Sequence, residues 1–341
     1  MGGAWGSAFG ELLVQVRILV EREIRDVIGP PEALRSVRAA FVKLARGASS
    51  LPGVIGFRLP GGGEVHVKGA HLHGSPFFCI KEAGGFPASA LQGLPANSGM
   101  VQVFDAETGR IRGLLFDNGY LTDLRTAAAG ALAADVLARP GVVQAGILGC
   151  GVQARYQLDA LLGVRQPGRV LVWGRNEEKA RAFAREMGSR YNWLPVEVAG
   201  SASQAIEGSE VLITTTASTE PLVREDWVFK GTHITAMGSD DPDKCEVMGQ
   251  VLRKADKVVA DLIEQCMVIG EIHHAVAGGF ITKDDVYAEL GEILAGTKPG
   301  RESEDEITVA DLTGVGIQDA AVADYVMEEA ERRNLGQLIS V

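Results

Sequence analysis

Val142-Val143-Gln144-Ala145-Gly146-Ile147-Leu148-Gly149-Cys150-Gly151-Val152-Gln153-Ala154 is the stretch on which the reading of this chain turns. An apolar run at 142–148 leads directly into glycine. Gly149, Gly151 and Ala154 then fall at the spacing G-x-G-x-x-A, and residues 156–162 read as helix. A buried strand, a tight glycine turn and a helix N-terminus form an anion cradle. The glycines let the backbone approach a pyrophosphate, while exposed amides and the positive helix end hold its charge. An ordinary strand-to-helix turn is the plainer alternative. Taken as a dinucleotide site, the segment assigns Gly149, Gly151, Val152, Gln153 and Ala154 to cofactor binding.

The residues downstream favour the dinucleotide reading. Strand-like runs at 170–173, 211–215, 233–237 and 257–260 alternate with helical stretches such as 177–187. Such alternation implies right-handed βαβ units and a Rossmann-type doubly wound parallel sheet, an α/β fold. The second strand ends Val172-Trp173-Gly174-Arg175-Asn176. An NAD-selective site places an Asp or Glu there, about 20 residues past the first glycine, to bind the ribose hydroxyls. Arg175 instead suits a 2′-phosphate, and its planar fork stacks on adenine. With Asn176 beside it, it tilts the expected cofactor, NAD(P)H, toward NADPH; a solvated arginine is the alternative.

Upstream the texture differs. Pro30-Pro31 opens an amphipathic helix carrying Leu34, Val37, Phe41 and Leu44, closed by Gly47. Short strand-like runs at 56–59, 64–67, 77–80, 100–105 and 111–116 follow, separated by Gly, Pro and Asn, and they suggest an antiparallel sheet or open barrel. An Ala-rich helix at 127–137 stops at Pro140-Gly141, and a last helix at 319–334 is expected to cross back to the first domain. The expected organisation is an N-terminal extension at 1–16, a smaller α+β domain at 17–126 completed by 320–341, and the Rossmann domain at 127–319.

Composition narrows the class. The 341 residues carry 33 basic and 44 acidic side chains, a net charge of -11, so no overall positive field exists for nucleic acid or an anionic membrane surface. No apolar run of about 18 residues reads as a membrane span. Cys79, Cys150, Cys245 and Cys266 show neither disulfide-scaffold density nor CxxC spacing, so the expectation is a soluble protein of a reducing cytoplasm.

Four ordered segments carry a resemblance: Leu121-Thr-Asp-Leu-Arg-Thr-Ala-Ala-Ala-Gly130, the glycine turn, Met237-Gly-Ser-Asp-Asp-Pro-Asp-Lys-Cys-Glu246, and Asp311-Leu-Thr-Gly-Val-Gly-Ile-Gln-Asp319. Together they resemble the ornithine cyclodeaminase and mu-crystallin family, and look most like its iminosuccinate reductase and ectoine-utilisation branch. The resemblance implies a homodimeric NAD(P)H-dependent oxidoreductase acting on a small 2-imino or 2-amino acid. It implies that Arg58, Lys81 and Arg125 hold the substrate carboxylate. Ion pairs of Arg125 with Asp117 or Asp123, and of Lys81 with Glu82, are the structural alternatives. It further implies that Asp240 manages the proton, with Lys81 a second donor, and that Thr126, Thr215, Thr216, Met237, Gly238, Val315 and Gly316 lie along the cofactor.

On the substrate side, an ornithine cyclodeaminase places an acid for the distal amine between the first arginine and the lysine. This chain reads Glu64-Val-His-Val-Lys-Gly-Ala-His-Leu-His73 in that interval. Strand alternation puts His66 and Lys68 on one face, which suggests a distal carboxylate and hence iminosuccinate as substrate. Cyclodeamination with bound NAD, cyclic ketimine reduction and non-catalytic NADP(H) binding are the alternatives. The three histidines of H-x4-H-x-H lack a cysteine or carboxylate partner at metal-site spacing, so no metal is expected.

Overall fold

The computed structural model describes residues 14–90, 92–94 and 97–341, so most of the expected extension lies outside the described residues. Strand pairing already begins at Gln15, within the stretch read as extension. The first sheet is built from β1 (Gln15–Val20), β2 (Ser49–Ser50), β3 (Ile55–Arg58), β4 (Glu64–Leu72), β5 (Phe77–Gly85), β6 (Asn97–Asp105) and β7 (Ile111–Phe116). The second contains β8 (Gln144–Leu148), β9 (Arg169–Trp173), β10 (Val196–Val198), β11 (Val211–Thr214), β12 (His233–Ala236), β13 (Lys257–Ala260), β14 (Ala288–Glu289) and β15 (Thr308–Asp311). Finally β16 (Gln337–Ser340) returns to pair antiparallel with β1.

The first sheet runs β16-β1-β7-β6-β5-β4-β2, with β3 added on β4. It is antiparallel except where β1 lies parallel to β7, so it is mixed where an all-antiparallel sheet was expected. The second runs β10-β9-β8-β11-β12-β15-β13-β14 with every pairing parallel, the order of a doubly wound fold. The order in which successive strands are added reverses between β8 and β11, while the strands stay parallel. Open α/β sheets form their ligand crevice at such a switch point, beyond the carboxyl ends of the strands.

Three helices tie the two sheets together. The helix Tyr120–Leu137 is almost wholly buried, because its run of alanines leaves no bulky side chain to hold neighbours away. Gly130 lets the helix Val152–Leu161 come close, since a Cβ there would stand 2.1 Å from Gln157 Oε1. The helix Gly316–Arg333 packs on β4 and β5 and against the helices Pro30–Ala45 and Tyr120–Leu137. Its first residue meets β4 so closely that a Cβ on Gly316 would lie 2.7 Å from the Gly69 carbonyl oxygen. Buried Leu121, Leu124 and Leu132 fill the same core as Phe41, Leu115, Ile317 and Val322, each contributing about 1.5–3 kcal/mol where a large side chain leaves water. Among the described residues no helix is long and apolar enough to cross a membrane.

Candidate active site

The glycine turn is built as its sequence requires. Gly149 has φ of 114°, a conformation L side chains avoid, and a Cβ there would lie 2.4 Å from Thr215 Oγ1. Gly151 caps the helix Val152–Leu161 and faces open space, with nothing within 4 Å of where a Cβ would stand. The helix's first-turn amides, which have no intrahelical acceptor, therefore open onto a cradle with room for a pyrophosphate. Val152 is exposed at this turn, while Ala154 is buried beneath it. Gln153 turns away from the cradle: its Nε2 donates to Asp123 Oδ1 at 2.7 Å.

At the end of β9, Arg175 lines a hollow of about 500 Å³ with Trp173, Gly174, Val198 and Gly200, the position an adenosine ribose takes in this fold. Asn176 spends its side-chain oxygen on the Lys179 amide as an N-cap, at 2.9 Å.

Beyond β11 and β12, the Thr214–Thr216 and Met237–Gly238 segments are fastened by a buried carboxylate that the sequence reading did not single out. Glu246 accepts from Thr214 Oγ1 at 2.6 Å, from the Gly238 amide at 2.8 Å and from the Thr216 amide. Burial and the nearby Glu271 carboxylate push Glu246 up to about 7. Glu271 in turn accepts from the Glu246 and Val247 amides. Replacing Glu246 by Gln leaves two N–H donors facing one carbonyl oxygen and an NH2. We expect Glu246→Gln to lose about 2–3 kcal/mol of stability by thermal unfolding and to weaken NADH binding in parallel.

The substrate side centres on Asp319, also missed, although it closes the quoted segment 311–319. Asp319 Oδ1 accepts from Lys81 Nζ at 3.0 Å and from Arg125 Nε at 3.1 Å, and all three side chains are buried. Arg125 Nη1 also donates to Gln318 Oε1 at 2.9 Å, and Lys81 to Thr122 Oγ1 at 3.3 Å. Lys68 pairs across the sheet with Lys81, and its Nζ donates to the Gly314 carbonyl at 2.6 Å. A Cβ on Gly314 would stand 2.8 Å from Arg125 Nη1 and 3.3 Å from Lys68 Nζ, so the two cations converge there.

Three cations thus surround one carboxylate. Burial alone would raise Asp319, but Lys81, Arg125 and Lys68 hold it below the ordinary carboxylate range. Burial, then the charges of Lys81 and Arg125, push Lys68 down to about 8, against the opposing pull of Asp319 and Asp240. Two buried atoms of this cluster, the donor Gln318 Nε2 and the acceptor Asp319 Oδ2, have no hydrogen-bond partner. The excess of positive charge in this cluster suits a ligand carrying a carboxylate.

Lys68 also forms the inner end of a cleft of about 780 Å³ whose walls include Arg58, Glu64, His66, Asp240 and Asp241. The expected trio is accordingly corrected. Lys81 and Arg125 meet as expected, and neither uses the alternative partners Glu82, Asp117 or Asp123. Arg58 stands apart: its side chain is 61% exposed and is held by Asp241 at 2.7 Å and Asp243 at 3.1 Å. Four-residue β3 is exposed along its whole length, so it cannot carry Arg58 into the buried cluster.

His66 and Lys68, the pair expected at a distal carboxylate, both line this cleft, Lys68 at its inner end with Nζ on the Gly314 carbonyl. Asp240 lines the cleft and pairs with Lys244 at 2.7 Å. Asp241 is committed to Arg58 and to the Asp243 amide, which outweigh burial and keep it below its ordinary range. Of the other histidines, His71 contacts the Ser75 carbonyl and His73 contacts Ser50 Oγ.

β15 delivers the remaining wall. Its continuation through Val315 and Gly316 is fixed by Asp261, which accepts from the Gly314 amide at 2.7 Å and from Thr313 Oγ1 at 3.0 Å. Val315 is buried, and the close approach that Gly316 permits is to β4. A glycine turn at the switch point of the second sheet, together with a cation cluster built on β4 and β5 of the first sheet and on two helices, has clear counterparts. Residues 13–334 match the ornithine cyclodeaminase/mu-crystallin family. This chain belongs to that family.

Solved relatives share the whole architecture. An archaeal alanine dehydrogenase dimer with bound NAD superposes with a TM-score of 0.89 at 37% identity, covering 96% of this chain and 99% of that one. The Delta(1)-pyrroline-2-carboxylate reductase of Thermococcus litoralis, in complex with NADH and L-proline, gives 0.89 at 31% identity, with coverage of 95% and 100%. The iminosuccinate reductase of Paracoccus denitrificans, in complex with NAD+, gives 0.86 at 31% identity, with coverage of 96% and 100%.

Proposed function

We propose that the protein is a homodimeric NAD(P)H-dependent oxidoreductase that reduces a 2-imino acid to the 2-amino acid, and in reverse oxidises the amine. The observation that carries this reading is the buried cluster of Lys68, Lys81 and Arg125 around the single carboxylate of Asp319, next to an open dinucleotide turn. Family relatives that bind NAD or NADH and are named for amino or imino acids support it.

Bound nicotinamide supplies hydride to C2 of the substrate. The residues do the rest. Arg125 and Lys81 grip the C1 carboxylate, the guanidinium as a fork and the ammonium as a point charge. Lys68 bonds only a neutral carbonyl and faces the cleft, so its ammonium gives the proton that the imine nitrogen takes as hydride arrives. Asp240, held by Lys244 on the opposite wall, accepts the substrate's N–H. The reading is tested by following NADH and NADPH oxidation with ammonia plus pyruvate, glyoxylate or oxaloacetate, and with a cyclic imino acid. Absence of turnover with all of them sinks it.

The residues expected at the distal carboxylate of iminosuccinate, His66 and Lys68, both line the cleft, with Lys68 bonded to the Gly314 carbonyl; the assay with oxaloacetate plus ammonia tests that substrate.

For the cofactor, Arg175 supports NADPH. We expect Arg175→Ala to raise KM for NADPH about tenfold and leave KM for NADH within twofold, since one exposed phosphate contact is worth about 1–2 kcal/mol. Equal effects on the two cofactors would remove Arg175 from phosphate recognition.

A further inference from the structure

The outer part of the cleft has a character that carboxylate binding does not use. From Lys68 outward, β4 presents His66 and then Glu64, and the facing walls bring Leu51, Val54 and Phe57 from one side and Leu262, Val268 and Ile269 from the other. Val54 is 41%, Phe57 50% and Val268 62% exposed. Large apolar side chains gathered open-faced around one concavity are surface for a ligand to cover, unlike single exposed residues scattered elsewhere.

Charge on the outer walls is already matched. Arg58 holds Asp241 and Asp243. Lys244 holds Asp240 at 2.7 Å and reaches Glu64 at 3.9 Å, while Lys283 holds Glu264 at 2.5 Å. A distal carboxylate reaching past His66 and Lys68 into the outer cleft would enter among five acids, where Arg58 is already held by two of them. A distal ammonium would compete with Lys244, Arg58 and Lys283 for carboxylates already bonded. An apolar group disturbs none of these pairs and covers the six apolar side chains.

We propose that this outer cleft is a side-chain pocket that selects 2-imino and 2-amino acids with a bulky apolar side chain, branched aliphatic or aromatic. The assignment rests on the imine-reductase reading above and names its substrate class. Extending the substrate side chain from methyl to isobutyl adds three carbons to the buried apolar surface, which is worth about 10- to 100-fold in kcat/KM.

The test compares kcat/KM of the full chain for pyruvate, 4-methyl-2-oxopentanoate, phenylpyruvate and oxaloacetate, each with ammonia and reduced cofactor. In parallel, calorimetry measures the binding of the same four anions to the NAD+-loaded protein. The expected result is 4-methyl-2-oxopentanoate or phenylpyruvate at least tenfold above both pyruvate and oxaloacetate, in turnover and in binding. Val268→Asp is expected to lower the ratio of 4-methyl-2-oxopentanoate to pyruvate by about tenfold. Oxaloacetate equal to or above the bulky substrates overturns the pocket while leaving imine reduction standing. So does L-ornithine converted to proline faster than any bulky amino acid is oxidised. No turnover with any substrate, and no tighter binding of the bulky anions, removes both readings together.

Discussion

Arg125→Met is expected to lower kcat/KM for any 2-imino acid by about 10²- to 10⁴-fold, corresponding to the roughly 3–5 kcal/mol that losing one partner of a buried charge-assisted pair costs. Arg125 is buried at the start of an alanine-rich helix, with one nitrogen on Asp319 and another on Gln318. When substrate arrives, the same planar fork must serve its carboxylate, and no neighbouring side chain duplicates that geometry. Arg125→Lys keeps the charge and loses the fork, so a smaller loss of about 10- to 100-fold is expected. Breaking the buried pair with Asp319 should lower thermal stability in Arg125→Met, but Lys81 remains against Asp319 and the fold should survive both changes. NADH binding, followed by fluorescence, should stay within about threefold of the parent. A parallel collapse of cofactor affinity and thermal stability would make Arg125 a structural ion pair, and an Arg125→Met enzyme of near-normal kcat/KM would remove the cluster from substrate binding.

How far the sequence could be read shows which physics is local. The glycine turn, the alternating strands and the Ala-rich helix are patterns of adjacent residues, and β13 and β7 were read to the residue because apolar runs and their Gly or Asp borders mark them. β15 was not read as a strand. Its four residues, Thr308–Asp311, are too short for periodicity to register, and only their insertion between β12 and β13 makes them a strand. β1 began earlier than expected because its partner is β16, more than three hundred residues away.

The site divides in the same way. Arg125 and Asp240 stood out in quoted motifs, and Lys81 was named from the resemblance alone. Asp319 stood at the end of one without being chosen, because its importance comes from Lys81 on β5 and Arg125 on a separate helix. Glu246 likewise closed a quoted motif, but its three donors come from the 214–216 and 238 segments. Alternation correctly put His66 and Lys68 on one face. It could not show that this face runs from a buried cation cluster outward to a cleft with apolar walls. Arg58 was chosen by residue type and order alone, and exposed β3 puts it among aspartates.

The protonation of Lys68 should govern the pH dependence of catalysis. In the folded protein its ammonium, pushed down to about 8, donates in the reductive direction, so kcat/KM for imine reduction should be level below about pH 7 and fall as pH rises through about 8. Amine oxidation needs the neutral amine and should rise through the same range. A bound carboxylate adds a negative neighbour and favours the ammonium, so the limb in kcat should lie at higher pH than the limb in kcat/KM.

Lys68→Met should remove the limb and lower kcat about 10²- to 10⁴-fold. Lys68→Arg restores the charge and should rescue KM, but neither kcat nor the limb, because a guanidinium does not titrate in this range. If Lys68→Arg keeps both kcat and the limb, the proton comes from elsewhere. The linkage gives a readout independent of turnover. The folded-state value lies below the unfolded one of 10.5, so between about pH 8 and 10.5 the unfolded chain binds the extra proton and stability rises with pH. Below about 8 the cost of holding the ammonium beside Lys81 and Arg125 is fully present. Lys68→Met should therefore be more stable than the parent at pH 7 by roughly 1–3 kcal/mol, an advantage that shrinks as pH approaches 10. A less stable Lys68→Met protein at pH 7 would mean that the cation is held comfortably without substrate, and the excess positive charge on which carboxylate capture depends would not exist.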